Sequence, residues 1–209
     1  MGDLDALTAA IEVGDRTAAV RATQEAIDEG RDPQAILDAM TAAMGIVGGR
    51  FQRNEIFVPE MLIAARAMKE ATALLEPLLV AADIRPEATA VIGTVKGDLH
   101  DIGKNLVGMM WKGANIEVID LGTNVPPERY VEAARSHGAR IVGISALLTT
   151  TMTGMGDVVR AIREAGLDDA RVIVGGAPVT AEFAREIGAD FYAPDAGSAV
   201  DVAKAALAR

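Results

Sequence analysis

Lys96-Gly97-Asp98-Leu99-His100-Asp101-Ile102-Gly103-Lys104-Asn105 follows the apolar run Ala88-Thr89-Ala90-Val91-Ile92-Gly93-Thr94-Val95. An amphipathic segment then reaches to about Lys112. The run reads as a strand and the segment as a helix, which places the stretch on a loop at a strand's carboxyl end. An Asp two residues before a His can hold one imidazole N–H, fixing the tautomer and leaving the other ring nitrogen as a ligand. A single His does not hold a free metal ion. It can supply the axial bond that a metal already held in a macrocycle still needs. The stretch therefore points to a large metal-bearing cofactor. Asp101 and Lys104 read as helix-start and surface charges.

Working outward, the residues after Glu87 alternate short apolar runs with amphipathic segments. Strands are expected near 89–95, 115–120, 140–145, 171–175 and 190–193, and helices near 102–112, 127–136, 154–165, 180–187 and 197–207. That alternation implies a parallel sheet covered on both faces. Five strands in this order fit a flavodoxin-like, doubly wound (Rossmann-like) α/β fold, whose ligands bind beyond the strands' carboxyl ends. Two more loops should share that edge. One follows Arg140–Ile144 and reads Ser145-Ala146-Leu147-Leu148-Thr149-Thr150-Thr151. The other follows Arg171–Val174 and reads Gly175-Gly176-Ala177-Pro178. Together the three loops describe a slot floored by glycines, edged by hydroxyls, with an imidazole at its mouth. Thr149 and Thr150 have an ordinary alternative as helix N-caps. His137 before Gly138 reads as a helix end, and Trp111 as packing at a domain interface.

The first 80 residues show only helical periodicity. Leu4, Leu7 and Ile11 mark one face, and a second helix runs from Arg16 to about Glu29. Asp32-Pro33 reads as N-cap and first turn of a third, with Ile36, Leu37, Met40, Ala43, Met44 and Val47 at three/four spacing. A fourth follows Phe57. The expected organisation is an all-α four-helix bundle over 1–80, a linker over 81–87 and an α/β domain over 88–209.

Composition narrows the function. Of the 209 residues, 20 are Lys or Arg and 30 Asp or Glu, a net charge of −10 with no basic run. Nucleic acid and anionic membranes are disfavoured, since both need a positive face. There is no cysteine, so thiolate metal sites and thiol catalysis are excluded. The acidic start Met1-Gly2-Asp3 lacks a signal-peptide pattern, and no uncharged apolar stretch approaches about 18 residues. A cytoplasmic protein is expected.

The pattern Asp98-x-His100-x-x-Gly103, then Ser145-x-Leu147, then Gly175-Gly176 resembles the signature of cobalamin-binding corrinoid proteins. Ser145 lies 42 positions after Gly103, and Gly175 lies 28 after Leu147, separations similar to the family's. The first loop resembles the methyl-carrying branch that includes methionine synthase. Phe51-Gln52-Arg53-Asn54-Glu55-Ile56-Phe57-Val58-Pro59-Glu60-Met61 resembles that branch's helical cap. At this length the chain is similar to the corrinoid proteins of methanol, methylamine, betaine or aryl methyl ether demethylation.

The resemblance implies a cobalamin or related corrinoid cycling between cob(I)alamin and methylcob(III)alamin, with no other metal. His100 would be the lower axial cobalt ligand and Asp98 its hydrogen-bond partner. Gly103 would let the helix start close to the corrin or its tail, Ser145 and Leu147 would line the slot for the displaced nucleotide tail, Gly175 and Gly176 would leave that tail room, and Thr149 would be a further cofactor-binding residue. Phe51 and Val58 would pack over the methyl-bearing face. Thr151 stands where methionine synthase has a serine that continues the His–Asp relay. The implied partners are a substrate:corrinoid methyltransferase, a second methyltransferase acting on coenzyme M or tetrahydrofolate, and a reductive activating protein. The chain would be a non-catalytic carrier. Rival readings are the cobalamin-binding subunit of an adenosylcobalamin mutase, against which Phe51–Met68 argues, and a cobalamin-based sensor module. A metal-free flavodoxin-like signalling domain lacks support from any phosphate loop.

Overall fold

The computed structural model describes residues 4–208. They divide into two compact units, one running through Pro86 together with Gly113–Asn115, the other comprising Glu87–Lys112 and the chain from Ile116 onward.

The first unit contains helices α1 (Leu4–Glu12), α2 (Arg16–Asp28), α3 (Pro33–Gln52) and α4 (Val58–Ala81). The starts of α2, α3 and α4 are set by side chains that satisfy orphan N–H groups. Asp15 accepts from the Ala18 N–H at 2.9 Å, and Asp32 from that of Gln34, with Pro33 in the first turn. At α4, Glu60 reaches back to the Phe57 N–H at 3.1 Å. The core is aliphatic: Leu7, Ile11, Ile36, Met40, Met44, Met61 and Leu75 are buried. On α4 the inward stripe is Met61, Ala64, Met68, Ala71 and Leu75, whose small alanines admit close neighbours; Leu62 points outward.

The second unit is a five-stranded parallel sheet in the order β2-β1-β3-β4-β5. Its strands are β1 (Ala88–Thr94), β2 (Ile116–Asp120), β3 (Ile141–Ser145), β4 (Arg171–Gly175) and β5 (Phe191–Tyr192). The interleaved helices are α5 (Ile102–Gly113), α6 (Pro127–His137), α7 (Thr149–Glu164), α8 (Ala181–Glu186) and α9 (Ala196–Leu207). One sheet face offers Val91, Val142, Ile144, Val172 and Val174 to α6, α7 and α8. On the opposite face Trp111 of α5 lies against Gly143, and its Nε1–H donates to the Ala199 carbonyl at 2.9 Å. Trp111 therefore sits in the core of the α/β unit, correcting its expected place at a domain interface. A side chain at Gly143 would collide with that ring.

Elements match the sequence expectations to within a few residues, except that α7 begins at Thr149 rather than near 154. His137 ends α6, and Gly138 follows in the left-handed conformation at φ 59°.

Candidate functional site

The strand order reverses between β1 and β3, so the loops after them diverge and open a crevice at the carboxyl edge. Register brings the three sequence-predicted loops abreast: Thr94 pairs with Ser145, and Ser145 with Gly175.

Asp98 lies at the centre. Its carboxylate is fully buried, while the His100 side chain remains 51% exposed. Oδ1 accepts the His100 backbone N–H at 3.0 Å and pairs with His100 Nδ1 at 2.8 Å. Oδ2 accepts the N–H groups of Leu147 at 2.8 Å and Leu148 at 3.4 Å. The Thr151 hydroxyl offers its single proton to Oδ2 at 2.7 Å and to the Leu148 carbonyl at 3.0 Å. Burial pushes the Asp98 carboxyl up, but the Leu147 and His100 N–H groups, the Thr151 hydroxyl and the His100 ring outweigh it. The carboxyl is held well below the usual carboxylate range.

This arrangement explains the early start of α7. Leu148, its N-cap, has no capping side chain. Asp98 instead reaches across from the loop after β1 to the N–H groups of Leu147 and Leu148, which immediately precede the helix, and to the Thr151 hydroxyl in its first turn. Thr149, Thr150 and Thr151 consequently occupy the first helical turn. Thr149 is exposed there, and neither it nor Thr150 is the N-cap.

Exposed apolar side chains lie on the two loops that Asp98 joins. Leu99 and Ile102 are 73% and 75% exposed, and Leu147 and Leu148 are also exposed. Among the described residues no three His, Cys, Asp or Glu side chains converge as a set that could hold an ion. The available donor is one ring nitrogen, Nε2, on a half-exposed side chain, since Nδ1 is committed to Asp98. That chemistry fits a flat macrocycle carrying a metal with one axial position to fill.

Gly175 and Gly176 form the neighbouring edge. A Cβ at Gly175 would lie 2.8 Å from the Ala193 carbonyl oxygen, and one at Gly176 would overlap that of Ala146. Gly176 also has φ 134°, a conformation that favours glycine. Gly103, in the first turn of α5, has nothing within 4 Å of its Cβ position. Ser145 is half-buried at the end of β3. Phe51 and Val58, both half-buried, flank the turn between α3 and α4 in the helical unit.

Two residues carry more than sequence reading assigned them. Lys104 is no surface charge: its side chain is 1% exposed and its ammonium grips both Asp120 oxygens at 2.6 Å. Asn124 accepts the Gly97 N–H at 2.8 Å through Oδ1 and gives its own N–H to the Asp98 carbonyl at 2.9 Å. A signal for the first was present in Asp120, a carboxylate closing a strand beside the loop.

Known proteins are similar to this chain in sequence and fold. A model of the B12 binding domain matches residues 88–201, and a second B12 binding domain model matches residues 3–76. A corrinoid protein of Desulfitobacterium hafniense (strain Y51) is 38% identical over 214 residues, spanning 100% of this chain and 99% of that protein. Dimethylamine corrinoid protein 1 of Methanosarcina acetivorans is 41% identical over 214 residues, spanning 98% and 97%. Among solved structures, a cobalamin-binding protein from D. hafniense DCB-2 is similar with a TM-score of 0.82 at 31% identity, covering 98% of each chain. A chain of the methanol:cobalamin methyltransferase complex from Methanosarcina barkeri gives a TM-score of 0.88 at 30% identity, covering 98% of this chain and 79% of that one.

Proposed function

This chain belongs to the family of B12-binding corrinoid proteins, and on that premise we propose a methyl carrier in which His100 would be the protein ligand that holds the corrinoid cobalt. When bound, the corrinoid would supply the methyl-transfer chemistry. The chain's own residues bind and orient. Asp98 holds the proton at His100 Nδ1, so Nε2 carries the free lone pair. Thr151 and the Leu147 N–H hold the far side of that carboxylate, so the Asp cannot swing away from the ring. Leu99, Ile102, Leu147 and Leu148 give a corrin an apolar seat that displaces water. Gly103, Ser145, Thr149, Gly175 and Gly176 line the path of the cofactor's tail, with Ser145 offering it a hydrogen bond.

The observation that carries this reading is the Asp98–His100 pair, a buried carboxylate orienting a half-exposed ring on a loop at the switch point. The chain presents the cobalt, and recognition of the methyl donor belongs to the methyltransferase that docks with it. A second methyltransferase would take the group to a thiol such as coenzyme M or to tetrahydrofolate. A reductive activator would rescue carriers stalled by oxidation.

The test is an EPR spectrum of the Co(II) state, with ¹⁵N-labelled protein and unlabelled cobalamin. A doublet superhyperfine splitting that disappears in His100→Ala is the expected result. A triplet in the unaltered protein would mean that the cofactor's own base stays bound, and the roles of His100 and the tail path would fall.

A further inference from the structure

The histidine loop is held from two sides. Asp98 ties it to the β3–α7 loop, as described. The other side is the β2–α6 loop, and it grips the histidine loop at both ends. At the entry, Gly97 donates to Asn124 Oδ1 and the Asp98 carbonyl accepts the Asn124 N–H. At the exit, Lys104 Nζ donates to both Asp120 oxygens at 2.6 Å and to Asn105 Oδ1 at 2.7 Å. Asn105 Nδ2 in turn donates to Asp101 Oδ2 at 3.0 Å, the residue beside His100. Asp120 is itself aimed by the Gly122 N–H at 2.8 Å. Asn124 adopts φ 54°, a left-handed conformation that asparagine tolerates better than most residues.

Burying an ammonium is expensive, and a buried ion pair is weak evidence for stability. An apolar side chain would fill the Lys104 position at less cost. What the pair supplies is a fixed geometry, three short charge-assisted contacts that allow the start of α5 one position.

We propose that Lys104, Asp120 and Asn124 are positioning residues for the axial ligand, a clasp that sets where His100 stands and so whether its nitrogen, rather than the cofactor's own base, holds the cobalt. The proposal rests on the axial role of His100. Two variants test it. Lys104→Met replaces the buried charge and leaves Asp120, 44% exposed, to water. Asn124→Gly keeps the left-handed backbone and removes only Oδ1; its exposed site makes it a safe second variant should the first fail to fold.

Each is loaded with unlabelled cobalamin as ¹⁵N-labelled protein, and the Co(II) EPR spectrum is recorded. The expected result is retained corrinoid with doublet intensity passing into the triplet. In the corrinoid-free protein the His100 amide, which bonds to Asp98 and not to the clasp, should exchange about tenfold faster. The central sheet amides of Val142 and Val174 should be unchanged, which a general loss of stability would not leave so. A full doublet in both variants with unchanged His100 exchange overturns the clasp. An unaltered protein without a doublet overturns the axial role itself, a result the variants do not mimic.

Discussion

Asp98 is where sequence, electrostatics and stability meet in one side chain. A carboxylate with no exposure survives because donors surround it. Asp98→Asn would turn an amide N–H toward the donors at Oδ2, and unfolding in urea should show a loss of about 3 kcal/mol. The pH dependence has a definite sign. The folded carboxyl titrates below its unfolded value of roughly 4, so its contribution is fully present above that pH. It is lost as pH falls below it toward the folded value, and Asp98→Asn should flatten that acid limb of the stability curve. Thr151→Val should cost about 1–2 kcal/mol and Thr151→Ser much less, because the hydroxyl and not the methyl meets Asp98. Tyr130 is the opposite case. It is fully buried, its hydroxyl has no partner among the described residues, and burial together with the Asp120 charge pushes the phenol far up. Tyr130→Phe removes a desolvated group and no hydrogen bond, and should stabilise the fold by about 1 kcal/mol in the same assay. The Asp98–His100 pairing was legible because two residues on one loop fix their own separation. The Thr151 contact spans 53 positions and depends on where α7 begins.

That start shows why some elements could be read from the chain and one could not. The continuous apolar runs of β1, β3 and β4 announce themselves, as does the proline after Asp32. The opening turn of α7, Thr149-Thr150-Thr151, has poor helix propensity and no side-chain cap on Leu148, and it is held by a carboxylate from the loop after β1, which accepts the N–H groups of Leu147 and Leu148 just before the helix and the Thr151 hydroxyl within its first turn. Lys104 was misread for a related reason. A lysine on an amphipathic helix looks solvated until a second strand delivers Asp120 to it. The glycines at the slot carry two explanations at once. Gly176 leaves an edge without side chains, yet the backbone of Ala146 alone already demands glycine there. Gly176→Ala should therefore lower stability by about 1–3 kcal/mol even in the corrinoid-free protein, measured by thermal unfolding. Were the residue glycine solely to make room for a ligand, the apo protein would be indifferent to the change and only binding would suffer.

Two units with different folding grammar, one helical and one α/β, meet the different demands on a carrier. The α/β unit must hold a heavy cofactor in one pose, and its switch point, strand register and doubly braced loop all serve rigidity. On the proposed role, two enzymes would need access to the bound cobalt in turn. Access of that kind would need a step in which something moves, and we propose the connection between α4 and β1 as the hinge. It is short, with Asp83 at φ 52° just past the end of α4 and Pro86 just before Glu87. Its Arg85–Asp83 ion pair is exposed on both sides, so it contributes little to holding the segment. Arg85→Pro would place two prolines in succession and restrict the backbone there without touching any residue of the corrinoid site. Methyl transfer from a partner methyltransferase, followed by stopped-flow absorbance of the bound corrinoid, should slow several-fold while corrinoid affinity stays unchanged. Equal transfer rates in the two proteins would refute the hinge. A parallel loss of affinity would mean that the segment shapes the site rather than gating it.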